Sequence, residues 1–296
     1  MLLFVYPDYA YMGSELAALS GIRVGQFSVD RFPNQELHAA LQTNVAGEEC
    51  VILGTIAPPD EQLLSTLLLS HTLKKEGAHH IIALMPYLAY ARDDKRKERK
   101  SLATAWVGAL LKASGVDEVI TVDVHSTEAQ DLFPLPLVSL SPANIFAQEM
   151  ARLSLLNATI VAPDEGARDR CQTVAKAAGM TGEIAYLVKR RAQEGVVHEN
   201  IYGNVGPQAV IVDDILDTGG TLVSCCEQLQ QLGVRDITIL VTHGLFTGTL
   251  WQKLWGIGVK RICCTDTLPQ AKERAMENVR ILSVLPLLVE YIQAKR

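Results

Sequence analysis

Short runs of consecutive apolar residues alternate along this chain with longer segments in which apolar positions recur every three or four residues. The runs cover 2–6, 50–53, 80–85, 119–122, 159–161, 209–212, 237–241 and 261–264. They are too short for helices and are bounded by turn formers, so they predict strands. Continuous rather than alternating apolar character predicts parallel sheets covered on both faces. The segments between them, 61–76, 101–114, 143–153, 167–178 and 221–232, predict the covering helices. The fold class expected is α/β, with parallel sheets flanked by helices.

The pattern also repeats. The stretch from Val51 and the stretch from Val210 both read strand, polar loop, helix, glycine (Gly77, Gly233), strand, turn. Duplicated halves are one explanation, and a shared strand–helix–strand rule acting twice is the other. The first predicts two tandem domains, 1–141 and 142–296, and a length of 296 residues suits about two domains. The polar stretch 189–208, KRRAQEGVVHENIYGNVGPQ, carries three glycines before a strong strand. It reads as a mobile functional loop. The run 92–100, RDDKRKERK, is mixed in charge and reads mostly as a solvated helix face.

Composition removes several classes of function. The chain is 48% hydrophobic and 20% charged, like an ordinary globular protein, with a net charge of -6. The negative balance argues against a general nucleic-acid binder, though a local basic pocket for an anion stays open. No apolar run reaches the ~18 residues that would span a membrane. The apolar N-terminus lacks a basic leader and a cleavage signal, so it reads as a first strand. The six cysteines show no C-x-x-C spacing and read as small buried residues of a reducing compartment. A cytoplasmic location is expected.

The chemistry concentrates at 210–222, VIVDDILDTGGTL. An apolar strand delivers Asp213 and Asp214 at its C-terminal end, the edge where ligands of parallel sheets gather. Asp217 follows in the turn, and Thr218, Gly219, Gly220 and Thr221 open a helix. Glycines let backbone N–H groups approach an anion, and the helix N-terminus adds its positive end. Paired carboxylates beside a phosphate cradle need a cation or polyol hydroxyls between them. The combination describes a sugar phosphate, with hydroxyls on the aspartates and phosphate on the loop.

This stretch resembles the loop shared by type I phosphoribosyltransferases and ribose-phosphate diphosphokinases, the enzymes that make phosphoribosyl diphosphate (PRPP). Further segments resemble the diphosphokinase family alone: RFPNQE at 31–36, PYLAYARDDKR at 86–96, VDVH at 122–125, PDEG at 163–166, KRR at 189–191, THGLFTG at 242–248 and DTLP at 266–269. They stand in family order over nearly the whole chain. The resemblance implies two phosphoribosyltransferase-like domains and transfer of diphosphate from ATP to the 1-hydroxyl of ribose 5-phosphate. It implies Mg²⁺ bound by His125 and Asp164. Phe32, Asn34, Gln35, Glu36, Arg92 and Asp93 would form the nucleotide site. The 213–221 residues would hold ribose 5-phosphate, and Lys189 and Arg191 would swing in to neutralise the transition state. Family precedent is a homo-oligomer built from dimers, often a hexamer, with the nucleotide loop completing a neighbour's site.

Departures stand at the nucleotide loop. Asn34-Gln35 replaces the family's Asp-Gly. Asn offers both a donor and an acceptor, which keeps adenine binding but weakens discrimination. Asp93 occupies a usual Gln position, and a carboxylate beside phosphates is unfavourable without a cation. A phosphoribosyltransferase using PRPP, and a non-catalytic relative that regulates a diphosphokinase, are the competing readings. His125, the KRR segment and RFPNQE weigh against the first, and retention of the catalytic set weighs against the second.

Overall fold

The computed structural model describes residues 1–192 and 195–295, with the side chains of 189–200 outside that description. The chain divides into two compact units, residues 1–140 with 285–296, and residues 141–284.

The first unit runs β1 (Leu2–Val5), α1 (Ala10–Ser20), β2 (Arg23–Val24), β3 (Phe27–Arg31), β4 (Leu37–Leu41), β5 (Glu49–Leu53), α2 (Glu61–Lys75), β6 (His80–Leu84), α3 (Ala103–Ala113), β7 (Glu118–Val122), α4 (Thr127–Leu132) and β8 (Leu137–Leu140). Six parallel strands form one sheet in the order β2-β1-β5-β6-β7-β8. β3 and β4 make a separate antiparallel hairpin. Phe27 ties its base to β1, meeting the rings of Phe4 and Tyr6 edge-on at 6.0 and 5.3 Å.

The second unit runs α5 (Ala143–Arg152), β9 (Thr159–Ala162), α6 (Arg168–Ala177), β10 (Ala185–Ala192), β11 (Gly195–Tyr202), β12 (Gln208–Leu216), α7 (Gly220–Gln231), β13 (Asp236–Gly244), β14 (Val259–Thr265) and β15 (Val279–Leu282). Its sheet order is β11-β10-β9-β12-β13-β14-β15, parallel except for the pair β10–β11. Without β11 the connectivity equals that of the first unit. The opening strand lies second from the edge, the next strand lies outside it, and four follow in sequence on the other side. Residues of β12 show why an unbroken apolar run was needed. Ala209 and Ile211 enter one core while Val210 and Val212 enter the core on the opposite face.

Three expectations are corrected. The second half does not continue to the C-terminus, because α8 (Leu285–Lys295) belongs to the first unit. Its apolar stripe buries Leu285, Leu288 and Ile292. Tyr291 donates to Glu118 Oε1 at 2.7 Å, Lys295 donates to Glu118 Oε2, and Gln293 donates to the Leu19 carbonyl at 3.0 Å. Glu118 is a buried carboxylate, and these partners supply the compensation that burial demands.

The stretch 189–208 is not an irregular loop over most of its length. β10 and β11 form an antiparallel ribbon at the sheet edge, where polar residues are normal and pairing rather than an apolar run makes the strand. Its base is fixed by the cross-strand partners Tyr186 and Tyr202, whose rings stack at 5.1 Å. The charged run 92–100 is an exposed turn rather than a helix face, with Asp94 as its buried member. All six cysteines are unpaired and buried. Burial pushes the Cys50 thiol up to about 11 and the Cys264 thiol up to about 12, so neither is a thiolate at neutral pH. Among the described residues no helix is long and apolar enough to cross a membrane.

Candidate active site

β12 continues past its apolar run to Leu216, which places the acidic pair inside the strand. Asp213 and Asp214 are only 8% and 6% exposed. The Asp214 N–H donates to Asp213 Oδ1 at 3.0 Å. Burial, and then the Asp214 charge, hold the Asp213 carboxyl well above the ordinary range, while Arg170 pulls it down. Arg170 Nη1 lies 3.7 Å from Asp214 Oδ1. This arginine was not singled out from sequence. The available signal was Arg-Asp-Arg opening the predicted helix directly after PDEG, a charged start at the ligand edge of the sheet.

The loop after β12 is shaped by its neighbours. Leu245 and Phe246 both donate N–H bonds to the Leu216 carbonyl, at 2.9 and 3.0 Å, and Thr247 donates to the Asp217 carbonyl at 3.1 Å. The incoming carbonyls are thus turned onto the segment after β13. Gly219 then takes the left-handed conformation, φ 90° and ψ 1°, as the N-cap of α7. The N–H groups of the first helical turn have no intrahelical partner, and the helix dipole makes them attractive to an anion. Thr218 is exposed, and Asp217, Gly220 and Thr221 are half-buried. The second unit therefore brings Asp213, Asp214, Asp217 and the residues 218–221 to one sheet edge.

Asp164 sits at the end of the neighbouring strand β9 and adds to the negative field on Asp213. It caps the 3₁₀ turn Glu165–Ala167, accepting the Ala167 N–H on Oδ1 at 3.1 Å. His125 is exposed in the first unit, between Asp123, which takes φ 48°, and Ser126. Ser126 caps α4 by accepting the Ala129 N–H at 3.1 Å. Among the described residues no three His, Cys, Asp or Glu side chains converge on a metal-sized space. Taken singly, Asp164 offers a carboxylate oxygen of the kind a hard cation takes, and the exposed His125 offers an imidazole that such a cation takes less readily.

The segment 32–36 forms the tip of the β3–β4 hairpin. Phe32 is 48% exposed, with its ring 5.0 Å from that of His38. The Gln35 N–H donates to the Phe32 carbonyl at 2.8 Å, and Gln35 takes φ 73°. The position where the resemblance expects glycine therefore demands a glycine conformation, and Gln35 adopts it. Asn34 Oδ1 accepts the Glu36 N–H at 3.2 Å. One of the two lone pairs of that oxygen is used locally, and the amide keeps both donor and acceptor capacity.

Arg92 is exposed at the end of the segment after β6. Asp93 has a structural use. Its Oδ2 accepts from Ser101 Oγ at 2.6 Å and from the Ala103 N–H at 3.1 Å, fastening the start of α3. These bonds hold its carboxyl below the usual range. Lys189 and Arg191 belong to β10, in register with His198 and Val196 of β11, while their side chains lie outside the described part. A concavity of about 770 Å³ lined by Arg168, Lys176, Thr181 and Tyr186 contains none of these candidates.

A family model described as the N-terminal domain of ribose phosphate pyrophosphokinase matches residues 1–115, and one described as a phosphoribosyl synthetase-associated domain matches residues 173–294. The chain is 30% identical over 294 residues to a ribose-phosphate pyrophosphokinase of Bacillus caldolyticus, covering 98% of this chain and 93% of that one. It is 33% identical over 272 residues to the protein of the same name from Cereibacter sphaeroides, covering 89% and 80%. The crystal structure of phosphoribosylpyrophosphate synthetase from Mycobacterium smegmatis matches with a TM-score of 0.88 at 26% identity, over 99% of this chain and 98% of that one.

Proposed function

The chain belongs to the ribose-phosphate pyrophosphokinase family, and from that premise we propose how its own residues divide the work. The reaction moves the diphosphoryl group of ATP to the 1-hydroxyl of ribose 5-phosphate and releases AMP. The attacking alcohol is weak, and charge builds on the migrating phosphates and on the leaving oxygen. Alignment and charge neutralisation are therefore what a protein must supply.

Asp213 and Asp214 accept hydrogen bonds from the sugar hydroxyls, and this orients the acceptor. Two buried carboxylates favour hydroxyl donors, because each bond offsets part of the desolvation that raises the Asp213 pKa. Arg170 works against that burial and favours the charged, hydrogen-bond-accepting form of the pair. The 5-phosphate lies on the N–H groups of 218–221, with Thr218 and Thr221 adding hydroxyls. The carrying observation is this juxtaposition in one unit: a buried acid pair, Asp213 and Asp214, five residues before a left-handed glycine that opens a helix.

Phe32 stacks on the adenine, Asn34 donates to the base, Gln35 and Glu36 complete the loop, and Arg92 meets the phosphates. His125 would offer an imidazole, and Asp164 a carboxylate, to Mg²⁺ carried mainly by nucleotide phosphates and water. That ion supplies charge neutralisation when bound. Lys189 and Arg191, both on β10, would neutralise the diphosphoryl group in the transition state, one as a compact ammonium and the other as a forked guanidinium. Assembly into a homo-oligomer would let the exposed Phe32 hairpin serve a neighbouring copy.

Comparing ribose 5-phosphate with 2-deoxyribose 5-phosphate as acceptor tests the sugar assignment. If the acid pair reads hydroxyls, kcat/KM for the deoxy sugar falls by roughly 100-fold or more. Equal turnover of both would refute the assignment.

A further inference from the structure

We propose that Trp251 is a positioning residue that sets the shape of the phosphate loop through Gly219. The proposal rests on reading 217–221 as the phosphate cradle. It goes beyond that reading by naming what preorganises the cradle from behind.

The close approach is backbone to backbone. A β-carbon added to Gly219 would stand 2.8 Å from both the Trp251 Cα and Cβ, and 3.2 Å from the Trp251 nitrogen. Such spacing leaves no slack between the turn of the loop and residue 251. Where Gly219 lies is therefore decided by where residue 251 lies.

The indole decides that in turn. Trp251 opens the 3₁₀ segment Leu250–Ile257 and is 3% exposed. Its Nε1–H donates to the Gly248 carbonyl at 3.2 Å. Its ring meets Phe246 edge-on at 5.0 Å and Trp255 at 6.4 Å. Phe246 is itself buried, at φ 52°, and is one of the two residues whose N–H groups fix the Leu216 carbonyl. One aromatic pair thus holds both flanks of the loop. Phe246 anchors the entering strand and Trp251 backs the left-handed turn. Each N–H of 218–221 owes its direction to that support, and small misplacements of anion donors are costly in binding.

The test is steady-state kinetics on Trp251→Leu, which keeps an apolar side chain in a buried place, with Trp251→Phe as the conservative variant. The expected result is a KM for ribose 5-phosphate raised roughly tenfold in Trp251→Leu, with kcat and the KM for ATP changed by less than about twofold. Trp251→Phe should recover most of the loss, because it restores the flat edge-on contact. Thr221→Ala, a change in the cradle itself, is measured alongside. If Thr221→Ala raises the KM for ribose 5-phosphate and Trp251→Leu does not, the positioning role is overturned while the cradle stands. If Thr221→Ala leaves that KM unchanged, the cradle reading fails and the proposal falls with it. A merely structural tryptophan would lower the thermal midpoint without separating the two KM values.

Discussion

Arg170 Nη1 stands 3.7 Å from Asp214 Oδ1, and its guanidinium lowers the pKa of the neighbouring buried Asp213. Replacing it with glutamine leaves two adjacent buried carboxylates without that compensation. The folded-state pKa of Asp213 is already raised, because burial works against its charged form. Stability tied to it is present at low pH and is lost as pH rises through the folded pKa. Arg170→Gln lifts that pKa further. The variant should match the parent in acid and fall increasingly below it as pH rises, by about 1–3 kcal/mol. Thermal midpoints measured across that range check this, and a pH-independent loss would contradict it.

Asp93 carries the opposite sign. Its carboxyl is held low by Ser101 and the Ala103 N–H, so its contribution is present above the unfolded pKa and disappears as pH falls through the folded one. Asp93→Ala should lower the thermal midpoint at neutral pH, converge with the parent in acid, and leave the KM for ATP unchanged. A raised KM for ATP with an unchanged midpoint would return Asp93 to the nucleotide site.

Gln35 occupies a left-handed turn position that costs a side-chain-bearing residue roughly 1 kcal/mol. Gln35→Gly should stabilise the protein by about 0.5 kcal/mol after the entropy of glycine is subtracted. Combined with Asn34→Asp it should sharpen the preference for ATP over other nucleoside triphosphates, because an added acceptor faces the adenine amino group. Competition kinetics with GTP read this directly, and an unchanged ratio would refute it.

Lys189→Ala and Arg191→Ala should each lower kcat by roughly 100-fold while changing both KM values little, as expected for groups that meet charge only in the transition state. A rise in KM with kcat intact would instead make them ground-state binding residues.

The parallel strands were legible because each must be apolar on both faces. β5, β6 and β12 announce themselves as unbroken runs, and 140–143 as a boundary follows from the repeat. α8 was assigned to the wrong half, since nothing local in 285–295 says that Tyr291 and Lys295 will seek Glu118. β10 and β11 were missed because an edge ribbon is made by pairing, which leaves no apolar run. At the candidate site, Asp213 to Thr221 stood out because two adjacent aspartates ending an apolar strand, followed by Asp-Thr-Gly-Gly-Thr, exceed what a helix cap requires. Arg170 could not, because its partner lies on another element. Asp93 was named for the nucleotide site because nothing local in the sequence shows that Ser101 and the Ala103 N–H use its carboxylate.

The most direct measurement is AMP formed from ATP and ribose 5-phosphate with Mg²⁺, followed in the parent and in Asp214→Asn. The account predicts AMP and PRPP in equal amounts from the parent and turnover at least about 100-fold lower in the variant. No AMP with any nucleoside triphosphate, or AMP produced equally well by Asp214→Asn, would contradict it.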